Sequence, residues 1–131
     1  MTTPKKKATQ PSIAIQRAYD EPAPHDGYRV LVDRYWPRGR SKEALALDDW
    51  ARDLAPSPAL IAWFHHEHAR WDEFRTRYRA ELADPQQHER LQTLLAAAGK
   101  RRITLVYGAR SEIENQAVVL REALLASLGG T

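Results

Sequence analysis

The chain has 131 residues, 43% of them hydrophobic and 28% charged, a length and balance suited to one domain with a core of its own. It contains no cysteine, which excludes a thiol nucleophile, a thiolate-held zinc or iron–sulfur centre and a disulfide framework, and fits a reducing compartment. Lys and Arg number 20 against 17 Asp and Glu, a net charge of +3 that falls short of the basic balance of a protein that coats nucleic acid.

Residues 1–11 carry Lys5, Lys6 and Lys7 among Thr, Gln and Pro, with almost no apolar side chain, and read as a disordered basic tail; residues 12–131 are expected to form a single domain. No uncharged apolar run reaches the roughly 18 residues of a membrane span, and the tail lacks the apolar stretch of a secretory signal, so the expected location is cytoplasmic. Ile13 and Ile15 alternate with polar neighbours and Tyr28 to Asp33 is rich in aliphatic residues, which predicts two strands. Pro22, Pro24, Asp26 and Gly27 break the chain between them, and that link leaves open whether the strands run parallel or antiparallel. Leu45 to Leu54 carries no clear pattern. Ser57-Pro58 supplies an N-cap and a first-turn proline for a short helix through Trp63 and Phe64.

Trp71, Phe74, Tyr78 and Leu82 form one helical stripe of the kind that burial requires. Asp84-Pro85-Gln86-Gln87 opens a third helix with Leu91, Leu94 and Leu95 on its apolar face, ending at Gly99. Lys100, Arg101 and Arg102 follow, where cations satisfy a helix C-terminus. Ile103 to Tyr107 is a nearly all-apolar strand, a pattern that implies helices on both of its sides. A capping box at Ser111-Glu112-Ile113-Glu114 opens the last helix, with Ile113, Ala117, Leu120, Leu124 and Leu128 on one face. The order predicts a single compact α/β domain with a small central sheet, largely parallel or mixed, flanked by helices. Crossover logic makes the strands ending at Asp33 and Tyr107 parallel, with their carboxyl ends at one edge.

Ligands of open α/β sheets settle beyond that edge, which singles out two loops. The first, Asp33-Arg34-Tyr35-Trp36-Pro37-Arg38-Gly39-Arg40, combines arginine forks suited to phosphate, sulfate or carboxylate, a ring able to stack at Trp36, and at Gly39 a backbone that can face a ligand. The second, Gly108-Ala109-Arg110-Ser111, leads into a helix N-terminus that can seat an anion beside Arg110, with Asn115 and Gln116 adding polar groups. His65, His66 and His68 match no zinc-ligand spacing; one of them, His65, is a candidate acid or base with Asp33, and no metal is predicted. Dinucleotide, Walker, nucleophile-elbow and zincin signatures are missing, and no cofactor is implied.

Asp26-Gly27-Tyr28-Arg29-Val30-Leu31-Val32-Asp33-Arg34 running into Trp36-Pro37-Arg38-Gly39 resembles the YeaO-like family of small bacterial proteins of unknown function, the DUF488 group. Leu47-Asp48-Asp49-Trp50, Ala55-Pro56-Ser57, Phe74 with Tyr78, Glu81-Leu82, Thr104 to Tyr107, Asn115 and Ala117 to Leu120 continue the likeness in the family order. The resemblance implies a compact α/β domain and brings no established activity. It directs attention to Asp33, Arg34, Trp36, Pro37, Arg38, Gly39, Tyr107 and Asn115. Where this chain has Gln116 and Ile61, the family commonly has a histidine and an arginine.

The leading functional expectation is an enzyme or binding domain for a small anionic ligand, held by Arg34 and Arg38 with help from the helix near Ser111. Catalysis there would fall to Asp33 or His65 as acid or base. The alternative is a nucleic-acid-binding module using the tail, Lys100 to Arg102 and the arginine loop, with Trp36 stacking on a base. A third reading, a protein-partner module with no catalysis, would be favoured by Trp36 and Trp50 lying on one exposed apolar patch.

Overall fold

The computed structural model describes residues 12–129; the expected tail, residues 1–11, lies outside them. In chain order these residues form β1 (Ile13–Arg17), β2 (Tyr28–Leu31), a one-turn helix α1 (Lys42–Leu45), β3 (Asp49–Trp50), α2 (Pro58–Phe64), α3 (Trp71–Leu82), α4 (Pro85–Ala98), β4 (Ile103–Tyr107) and α5 (Gln116–Gly129). The sheet has the order β1-β4-β2-β3 and every pairing is parallel. The open question about the first two strands is thereby answered: they run parallel with β4 between them. Among the described residues no helix is long and apolar enough to cross a membrane.

Period-two alternation divides the sheet into two unlike faces. Tyr28, Val30 and Val32 with Ile103, Leu105 and Tyr107 share one core with Phe74, Tyr78, Leu91, Leu120 and Leu124 of the long helices. Leu31 and Val106 point the other way, into a small cluster with Ala18 and Leu45 against which Trp36, Leu47 and Trp50 pack. The helix layer expected on this second side is a correction to make: its cover is the single turn α1 and irregular chain. An apolar strand demands cover but does not specify its form.

Beneath that cover lies a buried polar network. Arg29, 4% exposed, donates from Nη1 to Asp26 at 2.7 Å and to Gln16 at 2.6 Å, and from Nε to the Leu45 carbonyl at 3.0 Å. Thr104 donates to the Asp26 carbonyl at 2.8 Å. One guanidinium thus ties β1, β2 and α1 together, and its removal would leave the Asp26 charge buried without its partner.

Cap signals place most helix starts where the sequence predicts them. The Ser57 hydroxyl accepts from Leu60 N–H at 3.1 Å, and Asp84 accepts from Gln86 N–H at 2.9 Å. Arg101 donates to the Ala98 and Ala97 carbonyls at 3.1 and 2.9 Å, so part of the basic run closes α4. The last helix differs. Ser111 accepts from Ile113 and Glu114 N–H at 3.3 and 2.9 Å, yet this closes only a turn. The helix begins at Gln116, capped by Asn115, whose Oδ1 accepts from Ala117 and Val118 N–H at 2.9 and 3.2 Å. Ile113 therefore precedes the helix and is 75% exposed, leaving Ala117, Leu120 and Leu124 as the buried stripe.

Gly27 is required by two constraints at once. Its φ is +73°, and a Cβ there would stand 2.1 Å from the Arg102 carbonyl oxygen, which accepts the neighbouring Tyr28 N–H at 2.7 Å. Gly27→Ala is expected to lower the unfolding free energy by about 3 kcal/mol, measured by urea denaturation; an unchanged midpoint would contradict the tight approach of β2 to the chain before β4.

Candidate ligand-binding cleft

Because β4 lies beside β2, the chain leaves both strands side by side. Val32 N–H donates to the Val106 carbonyl at 2.9 Å, and just beyond this pair the Gly108 N–H donates to Asp33 Oδ2 at 2.9 Å. A Cβ on residue 108 would stand 2.8 Å from that oxygen, so the approach depends on glycine. Gln116, the first residue of α5, donates from Nε2 to Asp33 Oδ1. One carboxyl therefore joins the ends of two strands to the start of a helix. Burial pushes its pKa up to about 6, against the lowering pull of the Gly108 and Gln116 hydrogen bonds.

Beside this carboxyl opens a cleft of about 260 Å³. Asp33, Gln116 and Gly108 form its polar side, Ile61, Phe64 and Phe74 an apolar wall, and Trp36, Pro37 and Arg38 the loop side. Phe64 and Phe74 stack with centroids 4.3 Å apart, which stiffens that wall.

The arginine loop does less at the cleft than its composition suggests. Arg34 donates to the Pro56 and Ala55 carbonyls at 3.0 and 3.3 Å, and Arg40 to the Ala18 carbonyl at 2.8 Å. Among the described residues the Arg38 guanidinium has no hydrogen-bond or ion-pair partner; it is exposed and lines the cleft. Trp36 donates to the Arg40 carbonyl at 2.6 Å and Trp50 to the Asp33 carbonyl at 2.7 Å, with their rings edge-on at 5.4 Å. Both indoles are half-buried struts of the loop, so the shared exposed patch that a partner module would need is not formed. Gly39 has a φ of +78° and is exposed.

The remaining candidates sit apart from the cleft lining. Tyr107 is 2% exposed within the core, Arg110 is exposed, Ser111 holds its turn, and Asn115 is fully buried as a cap with its Nδ2 donating to the Ser111 carbonyl at 2.8 Å. The N–H groups of Ala117 and Val118, two of those an anion would meet at this helix start, are taken by Asn115. His65 closes α2 in a left-handed conformation, φ +46°, and is exposed outside the cleft. His66, also left-handed at φ +53°, brings its ring 5.4 Å from Phe64 and lines the cleft instead. Although the residue is exposed, partial desolvation of the ring in the cleft, then the neighbouring His65, lowers its pKa. His68 pairs with Glu114 at 2.7 Å, which raises its pKa. Two successive left-handed non-glycine residues turn the chain in a way no helical periodicity foretells.

These features define a parallel α/β domain with a cleft at the carboxyl edge of its sheet. Residues 12–130 match the family described as the inactive DUF488-N3 subclade, and the chain belongs to this YeaO-like DUF488 family. It is similar to the uncharacterized protein YeaO of Escherichia coli (strain K12), 44% identical over 114 residues that cover 86% of this chain and 96% of the relative. It is also similar to the uncharacterized protein Rv3073c of Mycobacterium tuberculosis (strain ATCC 25618 / H37Rv), 38% identical over 112 residues covering 86% of this chain and 92% of that one. No solved structure matches. Gln116 and Ile61, the positions where the resemblance leads us to expect a histidine and an arginine, both line the cleft.

The raised pKa of Asp33 makes its charge a cost to folding. Below its unfolded value of 3.8 the group is protonated in both states; between there and about 6 only the folded state holds the proton, so stability falls as pH rises, and above 6 the loss is constant. Relative to Asp33→Asn, the wild type is expected to lose about 2–3 kcal/mol between pH 4 and 7 in urea denaturation. Parallel stability curves would show that burial does not burden the carboxyl.

Proposed function

We propose that this chain is a non-catalytic binding domain for a small organic anion, whose phosphate, sulfate or carboxylate group is held by Arg38 at the rim of the cleft. The observation that carries this reading is the division of labour in the arginine loop: Arg34 and Arg40 are bound to backbone carbonyls, while Arg38 stands free beside a cleft. The apolar wall of Phe64, Phe74 and Ile61 favours a ligand with an organic body over a bare, hydrated ion. Binding without turnover is supported by the description of the matched subclade as inactive and by an Asp33 partner, Gln116, that cannot take up a proton.

A nucleic-acid role has less support. Arg101 and Arg102 precede β4 while the arginine loop lies past its far end, about 16 Å away along five strand residues, and Trp36 has its N–H and ring engaged within the loop.

Thermal unfolding of the wild type and of Arg38→Ala with 3-phenylpropionate, phenyl phosphate, sulfate and short single-stranded RNA tests the proposal. An organic anion at a hundred times its Kd is expected to stabilise the wild type by about 2.7 kcal/mol, with shallow salt dependence and no effect on Arg38→Ala. Stabilisation by RNA alone, collapsing with salt, would overturn it in favour of nucleic acid.

A further inference from the structure

The inner end of the cleft presents acceptors. Gln116 gives one amide N–H to Asp33 Oδ1, which keeps Oε1 available as an acceptor beside that carboxylate. The Gly108 N–H is likewise committed to Asp33 Oδ2. Each carboxylate oxygen keeps lone-pair capacity after one hydrogen bond, so the ionised Asp33, an acceptor only, has room for a further donor. Arg34 also lines the cleft, but its Nε and Nη2 are committed to the Pro56 and Ala55 carbonyls. An anionic group placed against Asp33 would meet a like charge, whereas a protonated nitrogen would bond to the carboxylate and neutralise it. The exposed Arg38 guanidinium has the opposite character and lines the same cleft, as do the apolar Phe64, Phe74 and Ile61.

We propose that the ligand is a small zwitterion of amino-acid type, with a primary ammonium head on Asp33 and Gln116, an apolar body against Phe64, Phe74 and Ile61, and its acid group on Arg38. This rests on the binding reading above and adds the head group to it. A cleft of about 260 Å³ lies below the usual range for drug-sized ligands and suits a molecule of this size. The elevated pKa of Asp33 agrees, since a cation placed there restores the ionised form that burial disfavours.

The test uses matched sets that differ only in charge: L-phenylalanine, 3-phenylpropionate and phenethylamine, with the corresponding indolyl and isobutyl series, titrated calorimetrically into the full chain at pH 7.5. In at least one series the amino acid is expected to bind ten times or more tighter than its deaminated acid. Asp33→Asn should erase that advantage while sparing the deaminated acid, Gln116→Met should reduce it, and Arg38→Ala should weaken both acids. Equal affinity for amino acid and deaminated acid would overturn the ammonium seat and leave the anion reading standing. Tight binding of the amine alone, indifferent to Arg38→Ala, would overturn the anion reading and the zwitterion while keeping a cation seat. No binding by any member up to about 10 mM would overturn both.

Discussion

The contact between the Asp33 carboxyl and the Gly108 backbone closes the carboxyl edge of the sheet. It exists because β2 and β4 are adjacent and parallel, so that Asp33 and Gly108 follow them side by side, and because residue 108 has no side chain to fill the gap. Gln116 then docks the start of α5 on the same carboxyl. The two hydrogen bonds do not offset the burial of the charge, since the carboxyl still holds its proton to about pH 6. A charge that weakens the fold at its most connected corner is what a binding site requires and what a purely structural joint would avoid.

The rest of the molecule holds that corner still from two sides. On one face the aromatic stripe of α3 packs on the sheet and, through Phe64 and Phe74, extends into the cleft wall. On the other, Trp36 and Trp50 brace the loop after β2 through their N–H groups, and the Arg29–Asp26 pair fastens β2 to the chain covering it. Side chains that resemble ligand-stacking or anion-binding groups by composition are thus spent on keeping the loop in place. The polar groups left to the cleft are Arg38, the His66 ring and the Asp33–Gln116 pair.

Much of this was legible in the sequence because local signals and tertiary packing agree. Ser57-Pro58 and Asp84-Pro85 mark real helix starts, the Trp71-to-Leu82 stripe is buried, and the parallel placement of the strand ends puts the cleft at the predicted edge. The failures share one physical cause: the deciding partner is distant in sequence or is backbone. Three arginines in one loop reveal three cations, but not that the Pro56 carbonyl, 22 residues away, captures one. Ser111 and Asn115 are both competent caps, and only burial of the second settles where α5 begins. The choice between His65 and His66 turned on two left-handed backbone conformations, and the role of Gly108 on a close approach visible only in three dimensions.

The most direct test of this account is the titration of the Asp33 side-chain carboxyl carbon followed by NMR, assigned by its disappearance in Asp33→Asn. A midpoint near 6, well above the 3.8 of an unperturbed aspartate, is the predicted result. A midpoint at or below 3.8 would mean that the Gly108 and Gln116 hydrogen bonds stabilise a well-solvated carboxylate, and would contradict the desolvated acceptor at the inner end of the cleft.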